Sequence, residues 1–125
     1  MKCEPITATA PIETRRLLLK SPTMADLADV QTTWNLDGEP ISPAEAAAEI
    51  EIMLSNRERN NSGRFFHLCL AIVDKESGRF IGWCGLDQRD PRKPCPVLFY
   101  LLKRACWGRG LATEVATELL RFAFR

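Results

Sequence analysis

The residues best suited to bind a ligand form a short glycine-bearing turn near the end of the chain. Trp107-Gly108-Arg109-Gly110-Leu111-Ala112 follows a predicted strand and opens a predicted helix. At such a junction backbone N–H groups and the positive end of the helix converge on one point, which favours an anion. Gly108 and Gly110 let the main chain approach an oxygen without a Cβ in the way, and Arg109 adds a positive charge. The spacing matches neither of the two common glycine-rich nucleotide motifs. A tight strand-to-helix connection without a ligand explains the same residues equally simply.

The cysteines and the single histidine predict neither a disulfide framework nor a metal site. The five cysteines lie at positions 3, 69, 84, 95 and 106 without a Cys-x-x-Cys pair, so a zinc site would need scattered thiols and one imidazole. His67 and Cys69 share one face if their segment is a strand, and a Cys/His nucleophile pair is conceivable there. We favour the interpretation that both are buried structural residues.

Length and composition are those of one folded domain. The 125 residues predict a single domain over residues 1–125, with 46% hydrophobic and 26% charged residues. Seventeen basic and sixteen acidic side chains give a net charge of +1, which supplies no field for binding nucleic acid. The sequence shows neither a membrane-spanning stretch nor an export signal, and we therefore expect a cytoplasmic protein that does not bind membranes.

Charge is unevenly distributed along the chain. A basic stretch contains Arg89, Arg92, Lys93, Lys103, Arg104 and Arg109, and an acidic stretch contains Asp37, Glu39, Glu45, Glu49 and Glu51. Two solvated faces would explain both stretches without any ligand. If the acidic stretch borders a binding cleft, it favours a cationic ligand.

Four segments have the composition of β-strands. Ile12 to Lys20 is the first, and it ends at a Ser-Pro breaker. Residues 65–73 and 79–86 form a predicted hairpin, and residues 96–102 extend it to a three-stranded meander. The sequence predicts an α/β fold, or α+β in a looser classification, with a mainly antiparallel sheet and helices on both faces.

Three segments are predicted helices. Thr23-Met24-Ala25-Asp26 has the capping-box spacing and opens a helix to about Asn35. Ser42-Pro43-Ala44-Glu45 is a stronger start, because the serine can cap, proline suits the first helical position and the glutamate closes the box. The last helix is predicted from Ala112 to Arg125 without a stop signal, which predicts that the chain ends inside a larger pattern.

Four stretches occur in the order and with the residues of one known family. They are Ile12-Glu13-Thr14-Arg15-Arg16-Leu17-Leu18-Leu19-Lys20, Phe80-Ile81-Gly82-Trp83-Cys84-Gly85-Leu86, Phe99-Tyr100-Leu101-Leu102 and Trp107-Gly108-Arg109-Gly110-Leu111-Ala112-Thr113-Glu114. The pattern Arg/Gln-x-x-Gly-x-Gly/Ala falls on Trp107, Gly110 and Ala112, with tryptophan in the first place. By these stretches the sequence resembles the GNAT acetyltransferases, specifically the branch that includes ribosomal-protein N-terminal acetyltransferases.

The resemblance implies acetyl-CoA as co-substrate and no metal. The pyrophosphate would lie on the backbone of Gly108, Arg109, Gly110, Leu111, Ala112 and Thr113. The pantetheine arm would lie along the end of the fourth strand, near Leu101, Leu102 and Lys103, as an added strand would. A backbone N–H there would polarise the thioester carbonyl. The acceptor amine would attack acetyl-CoA directly, without a cysteine nucleophile.

The sequence departs from the family pattern at the expected catalytic base. Where many relatives carry a glutamate and, two residues later, a glycine, this chain has Val97 and Phe99. Asp87, after the third strand, and Glu39, between the first helices, are the candidate bases to test first. Either carboxylate could instead be a solvated turn residue.

The function expected from the resemblance is an N-acetyltransferase that acts on a primary amine. A protein N-terminus, a polyamine and an aminoglycoside are acceptors between which the sequence does not choose. The alternative is a non-catalytic remnant that binds acetyl-CoA weakly or serves as an interaction module, because relatives continue beyond the last helix with further strands and a helix.

The absence of the strands with which relatives continue leads us to expect a homodimer. The edge Val97-Leu98-Phe99-Tyr100-Leu101-Leu102 is apolar, and no charge or proline interrupts it. Two copies would pair through this strand or exchange the final helix, burying apolar surface that relatives cover with their C-terminal part.

Overall fold

The fold is a five-stranded antiparallel sheet with helices on both faces. A computed structural model of the chain describes residues 11–60, 67–90, 92 and 96–123. The strands lie in the sheet in chain order: β1 Ile12–Glu13, β2 Leu17–Lys20, β3 His67–Asp74, β4 Phe80–Asp87 and β5 Val97–Leu102. The helices are α1 Leu27–Thr33, α2 Pro43–Asn60 and α3 Leu111–Ala123, with short 3-10 turns at Met24–Asp26 and Arg104–Cys106. The predicted fold class and the placement of helices on both faces are confirmed.

The first predicted strand is two strands. We expected one strand over residues 12–20, whereas β1 and β2 pair with each other as a tight hairpin, with Ile12 opposite Leu19. Thr14 makes the turn: its backbone N–H donates to the Leu17 carbonyl at 2.9 Å, and its hydroxyl oxygen accepts the Leu17 N–H at 3.0 Å. These local bonds replace the ladder bonds that a continuous strand would make at this point.

Both predicted helix starts are present. Ser42 Oγ accepts the Glu45 N–H at 3.1 Å, and the Glu45 carboxylate accepts the Ser42 N–H at 3.3 Å, so the capping box is reciprocal. At the earlier start the Asp26 carboxylate accepts the Thr23 N–H at 2.9 Å, and α1 ends at Thr33, two residues before the predicted end.

The hydrophobic residues form two clusters, one on each face of the sheet. The first packs α3 against the sheet, with Leu17, Leu19, Ile72 and Leu119 fully buried. The second packs α1 and α2 against the other face, with Val30 and Ile50 fully buried. Alternate side chains of each strand point to opposite faces, so β3 and β4 contribute to both clusters.

Some predicted features lie outside the described residues. They are the segment before Pro11, the start of the predicted strand at Phe65 and Phe66, the polar break at residues 61–63, and Pro91, Lys93, Pro94 and Cys95 in the loop before β5. Within the described residues no helix is long and apolar enough to cross a membrane.

Candidate functional site

Strand β5 separates two cavities that open on opposite faces of the sheet. It is an outer strand of the described sheet and pairs only with β4 there, with Leu101 opposite Trp83. Tyr100 and Leu102 line a cavity beside α3, which we call the α3-side cavity. Phe99 and Leu101 line a second, which we call the α2-side cavity. Because alternate side chains of a strand point to opposite faces, β5 contributes side chains to both cavities.

The α3-side cavity lies between the end of β5 and the start of α3 and measures about 350 Å³. Its lining residues come from those two elements and the turn between them: Tyr100, Leu102, Cys106, Trp107, Gly108, Gly110, Leu111, Ala112 and Thr113. The indole Nε1 of Trp107 donates to the Leu102 carbonyl at 2.9 Å, which ties the turn to the strand. Eight of these nine residues lie in the four stretches that carry the family resemblance.

The two glycines of the turn are needed for its shape. Gly108 and Gly110 both have φ of +75°, a left-handed conformation that other residues adopt at a cost. A Cβ on Gly108 would meet no heavy atom within 4 Å, and one on Gly110 would lie 3.5 Å from Arg16 Nη2. The glycines are therefore required by backbone conformation, and the space beside Gly108 is open.

The turn presents backbone donors suited to an anion. The first N–H groups of a helix have no partner within the helix. Among the described residues none accepts a hydrogen bond from the N–H of Leu111, Ala112 or Thr113, whereas the Glu114 N–H donates to the Gly110 carbonyl at 3.1 Å. These donors and the positive end of α3 suit the pyrophosphate of a coenzyme A ester, so the residues fit acetyl-CoA.

The hairpin turn between β1 and β2 is hydrogen-bonded to this loop and to the first turn of α3. Arg16 Nε donates to the Glu114 carboxylate at 2.8 Å, and Arg16 Nη1 donates to the Arg109 carbonyl at 2.9 Å. The Arg16 N–H and the Thr14 hydroxyl also donate to Glu114. Burial acts to raise the pKa of Glu114, but the hydrogen bonds from Thr14 and Arg16 outweigh it and hold that pKa below its usual range. Glu114 is thus an ionised anchor for the loop.

The other residues expected to contact acetyl-CoA are only partly gathered here. Arg109 is exposed and lines a separate cleft of about 330 Å³ together with Arg15 and Arg16. Leu101 points to the α2-side cavity and is 54% exposed. Lys103 lines neither of the two cavities, and its backbone N–H continues the ladder to the Ile81 carbonyl at 2.9 Å.

The α2-side cavity measures about 420 Å³ and is mostly apolar. Its lining comes from α1, α2 and the three last strands: Trp34, Glu49, Ile52, Met53, Asn56, His67, Cys69, Trp83, Asp87, Arg89, Val97, Phe99 and Leu101. Trp83 forms a fixed wall, because its indole donates to the Thr33 carbonyl at 3.1 Å and meets the Trp34 ring edge-on at 5.3 Å. Among the described residues the chargeable groups of this lining are two carboxylates, one guanidinium, one imidazole and one thiol.

Asp87, the first predicted base, lies in this cavity but is held by an arginine. Arg89 Nε and Nη2 donate to its two carboxylate oxygens at 2.9 and 2.8 Å. The hydrogen bonds from Arg89 lower the pKa of Asp87 to about 2. Asp87 is therefore ionised throughout the neutral range, which suits charge stabilisation better than proton transfer.

Glu39, the second predicted base, lies elsewhere. It is an exposed residue of the loop between α1 and α2, lines neither of the two cavities, and accepts a hydrogen bond from Asn35 Nδ2 through its backbone carbonyl at 2.9 Å. Of the acidic stretch, Glu49 alone reaches the α2-side cavity. Its place in α2, one turn after the capping box, is the signal that could have identified it, because it shares a helix face with Met53 and Asn56.

His67 and Cys69 both line the α2-side cavity, as their shared strand face predicts. Burial, and then the charge of Arg89, lower the pKa of His67, and Asp87 only partly opposes them. Burial raises the pKa of the Cys69 thiol to about 12, so Cys69 is not a thiolate at neutral pH. The neutral imidazole of His67 is thus a better proton acceptor than the neutral thiol of Cys69.

Comparison with known proteins identifies the fold that holds these cavities. A family model described as an acetyltransferase (GNAT) domain matches residues 16–125. The chain belongs to the GNAT acetyltransferase family. It is 25% identical over 118 residues to the uncharacterized N-acetyltransferase p20 of Bacillus licheniformis. That match covers 89% of this chain and 64% of p20, so this GNAT chain spans less than two thirds of the length of that curated relative.

Solved structures of two acetyltransferases share the fold at low sequence identity. The ribosomal-protein-S5-alanine acetyltransferase from Vibrio fischeri has a TM-score of 0.69 and 14% identity, covering 92% of this chain and 67% of that one. The microcin C7 self-immunity acetyltransferase, solved in complex with acetyl-CoA and AMP, has a TM-score of 0.65 and 14% identity, covering 86% of this chain and 62% of that one. The predicted resemblance is therefore confirmed at the level of family and fold.

Proposed function

We propose that this GNAT chain is an N-acetyltransferase that moves the acetyl group of acetyl-CoA to a primary amine. The observation that carries the proposal is the position of β5 between a cavity with anion-binding donors and a second, mostly apolar cavity. A donor held on one face and an acceptor held on the other can meet only at the edge of this strand. Family membership supports the same reaction.

The α3-side cavity is the proposed site of acetyl-CoA. The N–H groups of Leu111, Ala112 and Thr113 would hold the pyrophosphate, and the exposed edge of β5 would hold the pantetheine arm through backbone hydrogen bonds. When bound, acetyl-CoA supplies an activated acetyl thioester. A protein of the same fold, the microcin C7 self-immunity acetyltransferase, was solved with acetyl-CoA, which supports this choice of donor.

The α2-side cavity is the proposed site of the acceptor amine. Glu49 lines it, and among the described residues no cation forms an ion pair with this carboxylate. An ammonium group that enters the cavity would therefore find one uncompensated negative charge among aromatic walls. A protein N-terminus fits this surrounding better than a polyamine or an aminoglycoside, because the flanking side chains of a peptide can cover the apolar lining.

The same proposal includes a homodimer that forms through β5 or α3. Val97, Tyr100 and Leu101 on β5 are 46–54% exposed, and Leu120 on α3 is 48% exposed. An outer strand with such side chains favours pairing with a second copy. Pairing along β5 would occupy the edge proposed for the pantetheine arm, whereas exchange of α3 would leave that edge accessible. A cytoplasmic location remains part of the proposal as well.

The alternative function is a non-catalytic acetyl-CoA-binding or interaction module. This alternative is supported by the match to p20, of which the chain covers 64%. Turnover would be lost if it needs cavity walls that the remaining part of such a relative supplies. Two measurements separate the functions. Isothermal titration with acetyl-CoA tests the donor site, and release of free coenzyme A thiol with an alanine-led peptide, spermidine or kanamycin tests turnover. Binding with turnover supports the transferase, and binding without turnover supports the acetyl-CoA-binding module. No binding to folded protein refutes both of these and leaves only the interaction module.

A further inference from the structure

The α2-side cavity contains four groups that could take a proton from an amine, and three of them are poorly suited. The hydrogen bonds from Arg89 lower the pKa of Asp87 to about 2, and Cys69 is a neutral thiol with a pKa of about 12. Glu49 lies at the α2 wall, where it can attract an ammonium group. An effective general base has a pKa near the working pH, and Glu49 is already assigned to attracting the ammonium group. The fourth group is the imidazole of His67.

His67 is positioned directly against the strand that separates the two cavities. Its ring stacks on Phe99 of β5 with centroids 5.9 Å apart and an interplanar angle of 13°. Asn56 Nδ2 on α2 lies 3.5 Å from His67 Nδ1 and links the imidazole to that helix. The imidazole is therefore placed between α2 and β5, at the face of the strand where an acceptor would approach.

The surroundings of His67 keep it neutral at physiological pH. Burial lowers its pKa below 6.5, and Arg89 adds to this effect. Among the described cavity-lining residues, the titratable groups near the imidazole are Asp87 on β4, Arg89 after it, Cys69 on β3 and Glu49 on α2, while β5 contributes none. A neutral imidazole always has a lone pair on one ring nitrogen.

We propose that His67 is the catalytic base that accepts the proton of the acceptor amine, an assignment that rests on the proposed function. The amine nitrogen forms a bond to the thioester carbonyl carbon, and the carbon–sulfur bond then breaks. The electron pair of that bond leaves with coenzyme A as its thiolate. The imidazole takes one proton from the ammonium group before attack, directly or through one water, and releases it to solvent afterwards. The second proton, which the nitrogen loses after the new bond has formed, neutralises the departing thiolate. The acetylated amine and free coenzyme A are the products.

The test compares wild type with His67→Gln and His67→Ala, using whichever amine of the panel wild type acetylates best. General-base catalysis contributes about 10²- to 10⁴-fold, so kcat should fall by at least about 100-fold in both variants. Affinity for acetyl-CoA should stay within about threefold, because His67 does not line the α3-side cavity. Wild-type kcat should fall at acidic pH with an inflection below 6.5, and this inflection should be absent from both variants.

Two further readouts separate catalysis from a structural role. Added imidazole should restore part of the activity of His67→Ala, since the free base can occupy the space beside Phe99, and it should not affect wild type. His67 is the only histidine in the chain, so NMR can follow its imidazole without overlap, and its pKa should shift when the amine binds.

Failure of the His67 assignment and failure of the proposed function give different results in these experiments. Retention of at least a third of kcat in folded His67→Gln, or an unchanged acidic inflection, would overturn the assignment of His67 and leave the acetyltransferase proposal intact. Absence of turnover by wild type with every amine would overturn the proposed function and, with it, the reaction assigned to His67.

Discussion

The shape of the turn before α3 can be tested with three glycines that share one backbone conformation. Gly78, Gly108 and Gly110 have φ of +73°, +75° and +75°. Gly78 lies in the turn between β3 and β4, away from the α3-side cavity, and a Cβ there would meet no atom within 4 Å. It is thus a matched control for the other two when each is changed to alanine.

The expected free-energy cost of each substitution comes from the backbone conformation and not from steric crowding by the added Cβ. A left-handed conformation costs a residue with a Cβ roughly 1–2 kcal/mol, and Gly78→Ala should lose about that much stability. At Gly108 and Gly110 the loop can relieve this strain in the free protein by turning its N–H groups, so less stability is lost there. The loop must then recover the strained shape to bind acetyl-CoA, and the cost appears in the binding free energy instead. A cost of 1–2 kcal/mol corresponds to about 5- to 30-fold weaker binding. Gly78→Ala should bind acetyl-CoA as wild type does.

Denaturant melts and isothermal titration measure the two effects separately. Weaker binding at Gly108 and Gly110, with a loss of stability no larger than that of Gly78→Ala, would support a phosphate site on this turn. If Gly108→Ala and Gly110→Ala bound acetyl-CoA as tightly as Gly78→Ala does, the turn would be a connection without a ligand and the donor site would lie elsewhere.

Three other predictions concern the loop, its anchor and assembly. Arg109→Ala should weaken acetyl-CoA binding by less than about tenfold in the same titration, because an exposed cation adds little beside preorganised N–H groups. Glu114→Gln should lower the free energy of unfolding by about 1–2 kcal/mol near pH 7, since the amide nitrogen cannot accept the bonds from Arg16. Because the pKa of Glu114 is lowered in the folded state, this difference should be present above pH 4.5 and shrink as pH falls through the lowered value, as urea melts across that range would show. Light scattering at micromolar concentration should report a species larger than 14.1 kDa, and Leu101→Lys should shift it toward monomer; a wild-type monomer would contradict the proposed dimer.

The parts of the fold that depend on local chemistry could be predicted from the sequence. Ser42-Pro43-Ala44-Glu45 forms its capping box because all the donors and acceptors lie within one turn. The meander of β3, β4 and β5 follows from apolar runs separated by turn residues. The strand over residues 12–20 was mispredicted, because a single hydroxyl at Thr14 satisfies the turn and no glycine or proline marks it.

The contents of the cavities depend on the path of irregular loops and on which distant residues meet, and the sequence reveals neither. Asp87 was predicted as a base, but its two bonds from Arg89 follow from the path of the chain after β4. Glu49 and Glu39 belong to one acidic stretch, and only the packing of α2 against the sheet brings the first into a cavity and leaves the second exposed. His67 was interpreted as a structural residue because its proximity to Phe99 arises from two strands separated by β4.

The break between β1 and β2 has a consequence for the proposed site. In a continuous strand, alternate side chains of residues 14–16 would point to opposite faces of the sheet. In the hairpin turn, the Thr14 hydroxyl and both the backbone N–H and the side chain of Arg16 reach the same Glu114 carboxylate on α3. Arg16 also donates to the Arg109 carbonyl, so one turn fixes both the helix and the loop that precedes it. A loop held in this way keeps its N–H groups aimed at one point before a ligand arrives, which lowers the ordering cost of binding. The stability of the hairpin and the affinity for acetyl-CoA should therefore be coupled, although no residue of the hairpin lines the α3-side cavity.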